Sequence, residues 1–277
     1  MGSMTDLRQH PHDDVLDLVE RTLELTLDRS SGVYGNHGGT AGFRTDQGTW
    51  LRLQWRPTDR MHGQSWTGTE CASVLTSVVK PELMRAFRWN DRERGVVWRA
   101  EEMTLITAPI ISLSGSITDD PRLSDAWWKD LASSLGALAG HSTERVCMSQ
   151  DHLSRRIAEV FGEAVNTAVG EWTTAHGDLH WGNVTAPELC LLDWEDWGRG
   201  PRGLDAATLW GFSLGVPEVA GRVQREFAED LQSRSGKLAQ LLFCANVLRA
   251  HARSGKAMPF TEPAQEASGR LITELSS

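Results

Sequence analysis

Val15, Val19, Leu23 and Leu27 recur on one face of a helical wheel just after Asp13 and Asp14. The pattern predicts an amphipathic helix, capped by those aspartates and ending before Ser30-Ser31-Gly32. From residue 32 the period changes. Val33-Tyr34 leads into a glycine-rich stretch at 35–42, then Phe43-Arg44, a turn at Thr45-Asp46-Gln47-Gly48, and residues 50–55, which alternate between two faces. That order predicts strand, glycine loop, strand, turn, strand. Residues 66–79 predict a helix beginning near Thr67 or Thr69. Residues 83–89 and 96–101 predict two strands, joined by a polar hairpin turn at 90–95. The first hundred residues thus read as a small antiparallel sheet with a helix.

After Met103 the pattern shifts. Residues 107–121, rich in serine, proline and aspartate, read as a connection. Beyond it Leu131, Leu135 and Leu138 line one helix face, and Leu153, Ile157 and Phe161 another. Further helices are expected at 204–214, 217–232, 237–252 and 263–275. The expected division is a sheet-rich part at 1–103 and a helical part at 104–277. One segment interrupts the helices. Residues 173–197 combine short apolar runs, a turn at Ala186-Pro187-Glu188, a strand-like Leu189-Cys190-Leu191-Leu192 and a cluster of carboxylates.

Composition changes this picture little, and charge somewhat more. The chain has 277 residues, 40% hydrophobic and 23% charged, as a globular protein does. Its 37 acidic and 28 basic side chains give a formal charge of −9. That balance argues against binding to nucleic acid or to an anionic membrane, and it suits a cationic ligand, although solubility alone accounts for it equally well. No apolar run approaches the ~18 residues of a membrane span, and no signal-peptide pattern is visible. Cys71, Cys147, Cys190 and Cys244 form no C-x-x-C pair, so reduced thiols in a cytoplasmic protein are expected. Twelve tryptophans stand beside one tyrosine. Most are expected in packing, Trp127 and Trp128 among them, although indoles also favour cations.

The candidate chemistry lies in the interrupting segment, His176-Gly177-Asp178-Leu179-His180-Trp181-Gly182-Asn183, followed by Asp193-Trp194-Glu195. An aspartate, four spacers and an asparagine, then an aspartate after a strand, is the catalytic arrangement of kinases. Phosphoryl transfer needs an oriented hydroxyl, an acceptor for its proton, and a divalent metal on the donor phosphates. Asp178 can take the proton. Asn183 and Asp193 supply hard oxygens of the kind Mg2+ prefers, and a short hairpin between them brings both to one side. His176 reads as a structural histidine. A zinc pair of His176 and His180 is disfavoured, because Gly177 weakens the helix that such a pair needs.

These residues resemble the signature of the aminoglycoside phosphotransferase and choline kinase group of small-molecule kinases, H-G-D-x-x-x-x-N followed by a strand ending in I-D-W/F/Y-E. The match runs through His176, Gly177, Asp178, Asn183, Asp193, Trp194 and Glu195, and the close resemblance covers 173–210. Trp181 stands where the group often has proline. Asp205 resembles the aspartate that braces the catalytic loop there. The resemblance implies a two-lobed α+β protein-kinase-like fold, with a nucleotide-binding sheet lobe, a larger helical lobe, and ATP or GTP with Mg2+ bound between them. It also implies a third-strand lysine paired with a helix glutamate. At that place stands Arg52, with Glu70 as its natural partner, and Arg44 and Arg56 as rivals. Arginine is a forked cation, not an equivalent of lysine. Backbone N–H groups of 35–42 could cover the phosphates, and Glu101-Glu102 could lie near the hinge.

The expected function is transfer of a γ-phosphate from ATP or GTP to a hydroxyl of a small molecule. Glu195 and Asp196 beside the metal residues, together with the negative charge, favour a basic acceptor. An aminoglycoside, or a basic peptide antibiotic of the viomycin and capreomycin kind, fits, with antibiotic inactivation as the role. A metabolic kinase for a sugar, amino alcohol or hydroxy amino acid is the alternative. The Arg52 position keeps open a nucleotide-binding pseudokinase scaffold. The sequence sets neither the hydroxyl modified nor the oligomeric state.

Overall fold

Five strands build the first part of the chain: β1 (Leu27–Tyr34), β2 (Thr40–Thr45), β3 (Thr49–Pro57), β4 (Leu83–Asp91) and β5 (Val96–Thr104). They form an antiparallel sheet in the order β1-β2-β3-β5-β4. The structure is a computed structural model and describes residues 6–35, 38–60, 64–163 and 165–276. The chain divides into two compact units, one of residues up to 73 with 81–107, the other of 74–80 with 108–277. Together they make an α+β protein. Among the described residues, no helix is long and apolar enough to cross a membrane.

Helix α1 (Asp13–Leu23) buries Val15, Leu16, Val19 and Leu23. They pack with Leu51, Leu53 and Trp55 of β3 and Val96, Trp98 and Ala100 of β5 in the core of the first unit. Two expectations for this region are corrected. Asp13 and Asp14 lie inside the first turn, where they favour the positive end of the helix dipole, and His12 at the cap position makes no side-chain cap bond. The helix also stops at Leu23, short of Leu27 and of the expected end before Ser30. Glu24 adopts a left-handed conformation (φ 53°), and the Leu27 amide donates to Glu20 Oε1 at 2.8 Å, so Leu27 opens β1. Ser30 and Ser31 then belong to the strand. Their side chains bond to Asp28 across an irregularity in the β1–β2 register. Arg29 reaches back to Asp17 and Glu20 on α1.

The helix expected at 66–79 is a single turn, α2 (Gly68–Cys71), between 3-10 turns at 64–67 and 72–74. Gly68 and the β-branched Val74, Thr76, Val78 and Val79 are poor helix formers. The stretch 74–80 belongs instead to the second unit, where the Val79 carbonyl accepts the Leu191 amide at 2.9 Å. The β4–β5 hairpin forms as its alternation predicts, and Gly95 takes the positive φ (66°) of the turn. Of the glycine-rich stretch 35–42, Asn36 and His37 lie outside the described residues.

The second unit is mainly helical: α3 (Asp125–Ala139), α4 (Gln150–Phe161), α5 (Leu204–Phe212), α6 (Pro217–Glu226), α7 (Ala228–Gln232), α8 (Arg234–Ser254) and α9 (Thr261–Ser276). Ser124 and Ser149 cap α3 and α4, accepting the amides of Trp127 and His152. The helix expected at 217–232 breaks at Phe227 into α6 and α7. Helix α8 packs against α4, α5, α7 and α9. Two short strands, β6 (Trp172–Ala175) and β7 (Gly198–Pro201), pair antiparallel, so residues 176–197 form a closed excursion between them.

Candidate active site

The excursion leaves β6 at Ala175 and turns at once. Gly177 has φ 88°, and a Cβ there would lie 2.8 Å from Cβ of Cys147 and 3.1 Å from the Asp196 carbonyl, so only glycine fits. Asp205, at the start of α5, is buried and accepts the amides of His176 (2.7 Å) and Gly177 (2.9 Å), one on each carboxylate oxygen. His176 is buried too. Its Nε2 contacts the Leu192 carbonyl at 2.8 Å, and its Nδ1 faces the Asp178 amide at 3.4 Å. The ring thereby ties the outgoing arm of the excursion to the returning one.

Asn183 sits at the neck of a short hairpin. The Leu192 amide donates to the Asn183 carbonyl at 2.8 Å, and Val184 bridges Leu191. The run 189–192 is therefore a bridge and not a full strand. The Asn183 amide nitrogen donates to the Asp178 carbonyl at 2.9 Å and lies 3.4 Å from Asp178 Oδ2. This leaves the Asn183 amide oxygen for another partner. Asp193 follows with a left-handed backbone (φ 62°), a region that aspartate enters more readily than most residues.

Asp178 keeps 53% of its side chain exposed. Its carboxyl is nonetheless raised above the ordinary aspartate range. Crowding by protein is the largest cause, opposed by His180 and His176 and reinforced by the charges of Asp193 and Asp196. The three carboxylates sense one another. A divalent cation would relieve that repulsion, and hard carboxylate and amide oxygens suit Mg2+, so the residues present fit the metal. Among the described residues, no group of three or more His, Cys, Asp or Glu side chains converges on a metal position. A cation held by Asn183 and Asp193 would draw its remaining ligands from phosphate and water.

Glu195 and Asp196 occupy the return from the 183–192 hairpin to β7. Arg145 clamps this stretch, donating to the carbonyls of Glu195 (2.8 Å) and Trp197 (2.9 Å) with its guanidinium over the Trp197 ring. Asp196 is exposed.

In the sheet unit, Arg52 on β3 stands opposite Glu101 on β5. Its Nη1 lies 3.7 Å from Glu101 Oε2 and 3.5 Å from Thr69 Oγ1. Glu70 takes Arg99 Nη2 at 3.0 Å, and Arg99 Nε binds Glu101 Oε1 at 2.9 Å. Glu70, Arg99, Glu101 and Arg52 thus form a chain of alternating charge. Glu101 and Glu102 lie inside β5, fully buried, and Glu102 binds Arg85 and Thr49. Arg56 stands over the Trp66 ring, and the Arg44 amide donates to Ser31 Oγ.

Sequence reasoning missed Arg99, placed Glu101 only near the hinge, and gave Trp181 no role. Arg99 and Glu101 show no local motif, since their importance comes from pairing across strands. Trp181, noted only as a departure from proline, is fully buried. It donates to Ser213 Oγ at 3.0 Å and packs with Trp127 and Trp128 of α3, which are buried as expected of packing residues.

No family model matches the sequence, and no curated protein matches it. Solved structures do. A ternary complex of a thermostable mutant of aminoglycoside phosphotransferase APH(4)-Ia with AMP-PNP and hygromycin B aligns at TM-score 0.60 and 13% identity, over 94% of this chain and 98% of that one. Amicoumacin kinase hAmiN, in complex with AMP-PNP, Ca2+ and Ami, aligns at 0.57 and 12%, over 95% and 96%. The GDP complex of aminoglycoside 2'-phosphotransferase-IIIa aligns at 0.53 and 12%, over 95% and 98%. Across nearly its whole length, this chain has the kinase-like fold of the aminoglycoside phosphotransferases.

Proposed function

We propose that the chain is a small-molecule phosphotransferase that moves the γ-phosphate of ATP or GTP to a hydroxyl of a cationic acceptor. The observation that carries this reading is the Asp178–Asn183 contact in a loop braced by Asp205, with Asp193 across the hairpin neck. Asp178 aligns the acceptor hydroxyl and takes its proton. Asn183 and Asp193 hold Mg2+, which when bound neutralises charge on the donor phosphates. In the sheet unit, Arg52 binds donor phosphate, kept in place by Glu101, which Arg99 links in turn to Glu70.

Asp196, Glu195 and the −9 formal charge support a basic acceptor. The neighbours crystallised with hygromycin B and with Ami lend the same support. Inactivation of an aminoglycoside or a basic peptide antibiotic is the role that fits. The test is nucleoside diphosphate release with Mg2+ over a panel of aminoglycosides, basic peptide antibiotics, sugars and amino alcohols. Release with a basic antibiotic supports the reading, and release only with neutral sugars contradicts the basic-acceptor part. The Asn183→Ala variant is expected to need more Mg2+ for half-maximal turnover. An unchanged Mg2+ titration removes Asn183 from the ligand set.

A further inference from the structure

His180 has no part in the chemistry derived above, yet its ring is held by several neighbours. The Gly182 amide donates to Nδ1 at 3.0 Å. Nδ1 is therefore the acceptor nitrogen, and the neutral ring carries its hydrogen on Nε2. Nε2 lies 3.7 Å from Asp178 Oδ2. The ring meets Phe212 edge to face, with centroids 5.7 Å apart. A Cβ at Gly115 would come within 3.2 Å of Nδ1, and one at Gly182 within 2.9 Å of Cε1. Two glycines and a phenylalanine thus crowd the imidazole, and the Gly182 contact at Nδ1 turns the Nε2 hydrogen toward the carboxylate.

The same oxygen, Oδ2, has the Asn183 amide nitrogen 3.4 Å away. Both neighbouring donors thus face Oδ2. We propose that His180 is a positioning residue which, with Asn183, occupies Oδ2 of Asp178 and so assigns Oδ1 as the oxygen that meets the acceptor hydroxyl. The proposal rests on the phosphotransferase reading and deepens it. A carboxylate has two equivalent oxygens and a soft terminal torsion. Donors on one oxygen fix the other in the near-attack geometry on which rate depends steeply.

Two measurements on the full chain test this. Histidine ring 15N–1H correlation spectra are expected to show His180 protonated on Nε2 and bare on Nδ1, with the Nε2 signal moving in Asp178→Asn. In turnover, His180→Ala is expected to lower kcat by about 10–10²-fold with the nucleotide KM unchanged. His180→Gln, which can place an N–H near the Nε2 position, should recover most of that loss. A His180 ring protonated on Nδ1, an Nε2 signal indifferent to Asp178→Asn, or an unchanged kcat in His180→Ala overturns the proposal. If the wild-type protein transfers phosphate to no acceptor, the phosphotransferase reading fails, while the spectra still decide whether His180 holds Asp178. If His180→Ala does not fold, the wild-type spectra and His180→Gln carry the decision, and a Gln variant as impaired in nucleotide KM as in kcat counts against positioning.

Discussion

Asp205 shows how much of the candidate site's loop rests on one buried carboxylate. Its carboxylate takes two successive backbone amides at the point where the loop leaves β6. Burial raises its carboxyl above the ordinary aspartate range, against the pull of His176 and the two amides. Asp205→Ala removes that cost but leaves both N–H groups without an acceptor, at about 1–3 kcal/mol for each buried group. The expected result is a net loss of about 1–3 kcal/mol in urea unfolding, together with weakened turnover. Asp205→Asn keeps one acceptor oxygen and should lose less. An Ala variant as stable as the wild type would show that the brace is not where the loop draws its order. Asp205 was legible through resemblance. His180 was not, because its meaning lies in Gly182, Gly115 and Phe212, the last 32 residues away in sequence (180 to 212).

At the level of elements, local pattern succeeded where one face is buried. The β4–β5 hairpin and helices α3 and α4 follow their periodicity, since apolar alternation or a 3.6-residue stripe is what burying one face requires. It failed where local and tertiary preferences compete. Leu27 continues the stripe of α1, yet it enters β1 because Glu24 reverses the chain in a left-handed conformation. That conformation costs an L-residue about 1–2 kcal/mol, and glycine avoids it at an unfolded-state entropy cost of about 0.4–1 kcal/mol. Glu24→Gly is therefore expected to stabilise the protein by about 0.5–1 kcal/mol, read from the urea midpoint at constant m-value. A destabilised variant would mean that the exposed Glu24 side chain contributes more than its backbone costs. The expected helix at 66–79 failed likewise, because Val79 is engaged by Leu191 of the second unit.

For the whole molecule, the fold class was legible because the change from period-two to helical patterning near residue 103 runs through the entire chain. The charge chain of the sheet unit was only half legible. Arg52 and Glu70 were found by position, whereas Arg99 and Glu101 join them through strand pairing that no single segment encodes. The arrangement in the sheet unit is thus a chain of four charges where a single Arg52–Glu70 pair was the expectation. The central claim lies in the other unit, that Asp178 takes the proton of an acceptor hydroxyl. The direct measurement is acceptor-dependent nucleoside diphosphate release with Mg2+, comparing wild type with Asp178→Asn, a near-isosteric change that removes the base. The account predicts that kcat falls by about 10²–10⁴-fold while nucleotide binding is retained. Turnover equal to wild type in Asp178→Asn would contradict it.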